Sequence, residues 1–133
     1  YKRVFECPAA ELAPDAGEWI ADDRALVAAA EDQLAHELGL GAGEVLLDYP
    51  AKTQMLGLDI PVRRRDGTVR RLTAAGWEGA MNLPRLSEEL YGSARWLRVF
   101  ACRRVAVGRD AIVRLASLPA VEVRARLERG RLL

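Results

Sequence analysis

Residues 60–72 restrict this chain more than any other stretch. Ile60-Pro61-Val62-Arg63-Arg64-Arg65 and Thr68-Val69-Arg70-Arg71-Leu72 flank Asp66-Gly67. An Asp-Gly pair between two strand-forming runs is the signature of a two-residue hairpin, since a type I′ turn needs positive φ at both central positions. The chain must then contain an antiparallel strand pair, which sets it apart from folds built only of parallel βαβ units. In a two-residue register Arg65 faces Thr68, Arg64 faces Val69 and Arg63 faces Arg70.

The remaining elements follow from periodicity. Residues 1–7 form a short strand on Val4, Phe5 and Cys7, and Pro8 ends it because it has no N–H for a ladder. Asp15 and Glu18 have the spacing of a capping box, with Gly17 between them. Leu26, Ala30, Leu34 and Leu38 recur every four residues, predicting a helix over 21–38 that Gly39 stops. Val45-Leu46-Leu47 is a short buried strand ending at Asp48. Residues 50–59 form a loop with a helical turn. Residues 73–92 hold a short helix and a turn, with Ser87-Glu88-Glu89-Leu90 suited to a first helical turn and Gly92 to its end.

Trp96 to Val105 is the longest strand. Leu97, Val99, Ala101 and Val105 share one face; Trp96, Arg98, Phe100, Cys102 and Arg104 share the other. Apolar residues on both faces predict an interior strand. Helices over 109–117 and 119–129, the second opened by Pro119, would pack through Leu115, Leu118, Val121, Val123 and Leu127. The fold class is α+β: a small, mostly antiparallel sheet of about five strands with three or four packed helices, in one domain spanning 1–133.

Half of the 133 residues are hydrophobic, enough for a core, and no apolar run approaches the ~20 residues that span a bilayer. The N-terminal residues lack a signal-peptide h-region, and Cys7 and Cys102 are the only cysteines. Two thiols make no disulfide framework and read as reduced, buried groups of a cytoplasmic protein. Net charge is +1, but residues 1–61 hold four basic and twelve acidic residues, a net of −8. Residues 62–133 hold sixteen basic and seven acidic residues, a net of +9. Such a split marks either an anion-binding half or two surfaces that neutralise each other.

Absences narrow the chemistry. His36 is the only histidine, and it lies about 200° from Leu34 around the helix, off the apolar stripe. One outward imidazole and two separated thiols are poor material for a metal site or a Cys-His pair. Gly39-Leu40-Gly41-Ala42-Gly43 follows a helix and precedes a strand, the reverse of a phosphate loop, and reads as a helix stop. The positive signal is arginine. Arg63, Arg65 and Arg70 on the hairpin, with Lys2, are the candidate nucleotide- or anion-binding residues. The competing reading is a splayed, solvated arginine face that discourages edge pairing. Trp77, Trp96 and Phe100 read as core. No catalytic residue and no metal ligand is expected in this chain.

Several segments, in order, resemble one family. Tyr1-Lys2-Arg3-Val4-Phe5-Glu6 is similar to the strand leaving the last helix of the catalytic core in HD-domain phosphohydrolases. Val45-Leu46-Leu47-Asp48, Met55-Leu56-Gly57-Leu58-Asp59-Ile60-Pro61-Val62 and Leu97-Arg98-Val99-Phe100-Ala101-Cys102-Arg103-Arg104-Val105 resemble later parts of the C-terminal lobe. The nearest likeness is to dNTP triphosphohydrolases of the SAM-and-HD-domain type. The resemblance covers most of 1–8 and 45–105, and the acidic helix does not match. It implies a non-catalytic lobe whose metal-dependent parent hydrolyses nucleotides or phosphate esters. The divalent metal and its His-Asp ligands would sit in an HD core before Tyr1 or on another chain, and this chain would need no cofactor of its own. Lys2 matches a lysine that contacts an effector nucleotide in that family. Its arginine partner would fall before Tyr1, and no lysine stands near Tyr91, where the family has a second basic contact.

The expected partners are therefore the HD catalytic core, a second copy in a homo-oligomer and a nucleotide or phosphate, with no membrane. The alternatives are a free-standing nucleotide- or nucleic-acid-binding module and a purely structural oligomerisation domain.

Overall fold

The computed structural model describes residues 1–51, 58–73, 75–76 and 82–133. Its elements are β1 (Lys2–Pro8), a 3-10 turn (Ala9–Glu11), α1 (Glu18–Asp22), α2 (Arg24–Glu37), β2 (Val45–Asp48), β3 (Asp59–Arg63), β4 (Val69–Thr73), α3 (Leu83–Ala94), β5 (Trp96–Ala101), α4 (Arg109–Ala116) and α5 (Ala120–Glu128). The class is α+β, as expected, but the strands divide between two antiparallel sheets: β1-β5-β2 and the hairpin β3-β4.

β5 is the central strand of the first sheet. Phe100 faces Arg3 on one side and Leu46 on the other; Arg98 faces Glu6 and Asp48. Its inner row, Leu97, Val99 and Ala101, is fully buried. Phe5 and Cys7 of β1 and Val45 and Leu47 of β2 extend that apolar surface. Leu26, Ala30 and Leu34 of α2 cover it, joined by Trp19 and Ile20 of α1, Ile112 and Leu115 of α4 and Val123 of α5. Burial of this continuous surface supplies the main driving force for folding. A one-residue bulge at Val4 interrupts the β1 ladder, a feature that blunts exposed edges.

Several boundaries differ from the sequence reading. The expected helix over 21–38 is two helices with a break at Asp23, whose carboxylate accepts from the Leu26 N–H at 3.0 Å and so caps α2. That local cap outweighs continuity of the helix. Gly17 (φ 79°) precedes α1, so Asp15 and Glu18 form no capping box. α3 starts at Leu83, capped by Asn82, whose side chain accepts from the Arg85 N–H, and runs through Gly92 rather than starting at Ser87. β5 ends at Ala101, four residues early, which leaves Cys102 exposed while Cys7 is buried. Val121, expected in the core, is 73% exposed. Trp96 and Phe100 lie half-buried on the outer face of the sheet instead of in the core. The loop at 50–59 and Trp77 fall largely outside the described residues. Gly39 (φ 68°) closes α2 as expected, and His36 is exposed.

Two carboxylates of α2 tie it to distant segments with opposite electrostatic consequences. Glu37 accepts from Leu132 N–H at 2.6 Å, Leu133 N–H at 2.9 Å and the Gln33 amide at 2.9 Å. Desolvation pushes its carboxyl up, but these hydrogen bonds and the Arg131 charge outweigh it and hold the pKa below the ordinary glutamate value. Glu31 accepts from the Leu47 N–H at 2.7 Å, covering the edge strand β2, and its pKa is raised by desolvation, with Asp32 adding to the effect.

The signs follow from linkage. Glu37 contributes stability above its unfolded pKa, and this is lost as pH falls through the lower folded value. Glu31 costs stability as pH rises through its unfolded pKa towards the raised folded one. Glu37→Gln is expected to destabilise by about 1 kcal/mol at pH 7, because its amide NH2 meets a backbone donor. Glu31→Gln keeps an acceptor without the charge and is expected to be neutral to slightly stabilising at pH 7. Urea midpoints at pH 4 and pH 7 check both, and the Glu37→Gln deficit should shrink at the lower pH.

Candidate functional site

The hairpin closes one residue out of the register that Asp-Gly suggests. Val62 pairs with Arg70, Arg63 with Val69 and Ile60 with Leu72. Arg64 N–H donates to the Thr68 carbonyl at 2.8 Å, and Gly67 N–H donates to the Arg64 carbonyl at 3.1 Å. The loop is thus Arg65-Asp66-Gly67. Only Gly67 (φ 85°) has positive φ there, so this is a turn followed by a left-handed glycine and not type I′. The Asp66 carboxylate stabilises it by accepting from Thr68 N–H at 2.9 Å and Thr68 Oγ1–H at 2.7 Å. These bonds hold its pKa below the usual carboxylate value. They favour the wider loop over the tighter turn.

A one-residue slip moves every side chain of one strand to the other face. Arg63 and Arg70 are therefore not neighbours. Arg70 shares a face with Ile60, Val62 and Leu72, while Arg63 shares the opposite face with Asp59, Pro61, Val69 and Arg71. The like-charge opposition expected from the sequence does not arise. Arg71 instead forms a two-pronged pair with Asp59, at 2.5 and 2.7 Å. Arg63, Arg65 and Arg70 are exposed and form no side-chain hydrogen bond or ion pair among the described residues. Lys2 is exposed on β1 opposite Ala101, in the other sheet, so the four candidate cations divide between two sheets.

Elsewhere the charge split is resolved internally. Arg95 pairs with Glu18, Arg98 with Asp48, Arg109 with Glu11 and Arg124 with Asp23. Each joins a basic residue of the second half to an acidic residue of the first. Two open clefts have the same character. One, of about 420 Å³, is lined by Glu122, Arg126, Arg129, Arg131 and Leu133. Its arginines are engaged: Arg126 and Arg129 on Glu122, Arg126 also on the Leu132 carbonyl, and Arg131 on the Leu133 carbonyl. Cations beside the C-terminal end of α5 serve that helix's own dipole. The other cleft places Asp15, Glu18, Asp22 and Asp23 around Trp19.

The sequence reading missed Arg95. It is 2% exposed, with its guanidinium 4.0 Å from the Tyr49 ring centre. Nε donates to the Pro50 carbonyl at 2.7 Å and Nη1 to Glu18 at 3.1 Å. Its partners come from two remote segments, so no local pattern marks it.

Both thiols are held in the protonated form. Burial pushes Cys7 up despite Arg109 beside it, and desolvation with the neighbouring Glu44 does the same for Cys102. Among the described residues no group of three or more His, Cys, Asp or Glu could hold a metal ion, and no helix is long and apolar enough to cross a membrane. Compared with known proteins, the chain matches no family model, no curated protein and no solved structure.

Proposed function

We propose that this chain is a non-catalytic accessory lobe of a metal-dependent HD phosphohydrolase, working in the cytoplasm and seated against the catalytic core of that enzyme. One observation carries the reading. Of the four segments that resemble the family, three, 1–6, 45–48 and 97–105, are far apart in sequence, yet they contribute to β1, β2 and β5, which hydrogen-bond to one another in a single sheet. Three of the four segments thus meet in one structural unit, while the fourth, 55–62, leads into β3 of the hairpin. The outer face of that unit carries Leu46, Trp96 and Phe100 around the row Glu6, Arg98 and Asp48. Leu46 is exposed and the two aromatics are half-buried. A patch with aromatic anchors and a pre-formed ion pair is suited to burial against another folded surface.

The parent would hydrolyse nucleotides or phosphate esters with a divalent metal bound in its core, and the lobe would contribute packing and subunit contacts. Lys2, at the start of β1, would be its contact to a nucleotide phosphate.

The test is the polypeptide encoded before Tyr1 in the same reading frame, expressed in trans. The expected result is a sequence with two His-Asp-containing helices that binds this chain, and a loss of binding in Phe100→Asp. The isolated chain should hydrolyse no dNTP in Mn²⁺. An upstream sequence that holds such helices and does not bind this chain, or turnover by this chain that survives His36→Ala, overturns the reading.

A further inference from the structure

The distal half of the hairpin has a charge pattern that packing of the fold does not explain. Arg63, Arg65 and Arg70 stand within residues 62–70 beside one carboxylate, Asp66, which is turned back onto Thr68. The proximal half is neutralised by the Arg71–Asp59 pair. The register sets Arg63 on one face, Arg70 on the other and Arg65 at the tip. β3 and β4 make their principal contacts with each other, and Val69 is 63% exposed. A flat anionic surface would meet only one face of such a ribbon. A groove with an anionic wall on each side meets both.

We infer that the hairpin tip is a binding site for double-stranded DNA, entering the major groove with Arg63 against the phosphates of one wall, Arg70 against those of the other and Arg65 at the leading end. The dimensions agree. From Val62 to Arg64, the last residue paired across the hairpin, the chain advances about 7 Å, at ~3.4 Å per residue, before the loop Arg65-Asp66-Gly67. The B-form major groove is about 8.5 Å deep and about 12 Å wide and admits a two-stranded ribbon. The major groove of A-form RNA is too narrow for one. Phosphate contacts of this kind position a protein without reading sequence. The inference stands apart from the accessory-lobe reading, because it rests on the arginines at the hairpin tip and not on the β1-β5-β2 sheet; only 59–62, at the base of the hairpin, falls in a segment that resembles the family.

Fluorescence anisotropy on a labelled 20-base-pair duplex tests it, using the full chain at 50–200 mM salt. Log affinity is expected to fall against log salt with a slope of about −3, for roughly three neutralised phosphates. Arg63→Ala and Arg70→Ala should each weaken binding roughly tenfold at 50 mM salt and flatten the slope by about one. All three side chains are exposed, so far-UV circular dichroism should not change; Arg114→Ala, on α4, should bind as the parent does. Netropsin, which occupies the minor groove, should not displace the protein. The proposal is overturned by absence of binding, by a loss in only one of the two variants, or by displacement with netropsin. Equal affinity for an RNA duplex or for phosphatidylserine vesicles overturns it as well.

Discussion

Arg95→Met is expected to lower the unfolding free energy by about 3 kcal/mol, read as a shift in urea midpoint at constant slope. The guanidinium is 2% exposed, so its interactions are formed almost wholly out of water. The substitution takes a donor from the Pro50 carbonyl, the guanidinium from Glu18 and the cation from the Tyr49 ring. Methionine restores most of the volume, so the cavity term stays small and the loss is chiefly polar. Glu18 is 25% exposed, which lets its carboxylate regain part of its hydration and keeps the loss at the lower end of the range for a broken buried pair.

Arg95→Lys is expected to recover less than half. An ammonium cannot reach the Pro50 carbonyl and Glu18 in the planar fork that Nε and Nη1 form. The double variant Arg95→Met/Glu18→Gln, set beside the two single variants, gives the coupling between the two side chains. A change under 1 kcal/mol in Arg95→Met would show that the cluster contributes little beyond filling space. The unpartnered Nη2 makes the native arrangement itself imperfect. That is why the double variant, rather than a single one, measures what the pair is worth.

What the sequence disclosed and what it hid separate along physical lines. β5 was legible as an interior strand, because apolar residues on both faces suit no edge position, and it is central in β1-β5-β2. α4 and α5 were legible from their spacing and from Pro119. The break at Asp23 was not, because the stripe Leu26-Ala30-Leu34 continues smoothly past a cap that acts only at the first turn. The hairpin was legible as a hairpin, yet its register was not. Asp66 can serve a two-residue or a three-residue loop, and its two bonds to Thr68 decide for the latter.

That single residue determines the candidate site. One register stacks Arg63 on Arg70, and the other puts them on opposite faces. The charge asymmetry was visible from composition, but its meaning required the fold. Most of it disappears into pairs such as Arg98–Asp48 and Arg124–Asp23, which leaves the hairpin tip as the place where unpaired arginine gathers on both faces.

Gly17→Ala is the second large effect expected, a loss of about 2–4 kcal/mol, and it arises from two separable causes. The residue has φ 79°, a left-handed conformation that costs an L-residue about 1–2 kcal/mol. A Cβ there would also lie 2.9 Å from both Cδ1 and Cε1 of Tyr49, closer than carbon atoms approach without displacement. Tyr49 cannot yield freely, because it is buried and its ring lies against the Arg95 guanidinium. Gly17 N–H in turn donates to the Ala116 carbonyl at 2.7 Å, so moving the glycine instead disturbs the junction of α1 with α4.

Gly39 provides the comparison: its φ is 68°, and no atom lies within 4 Å of an added Cβ. Gly39→Ala should therefore cost only the conformational term, and the difference between the two substitutions isolates the clash. In a Tyr49→Leu background the clash is relieved, and Gly17→Ala should fall towards the cost of Gly39→Ala. That is the non-additivity of two groups competing for one space. If Gly17→Ala and Gly39→Ala cost the same in the parent protein, the close approach of Gly17 to Tyr49 is not a feature of the folded chain.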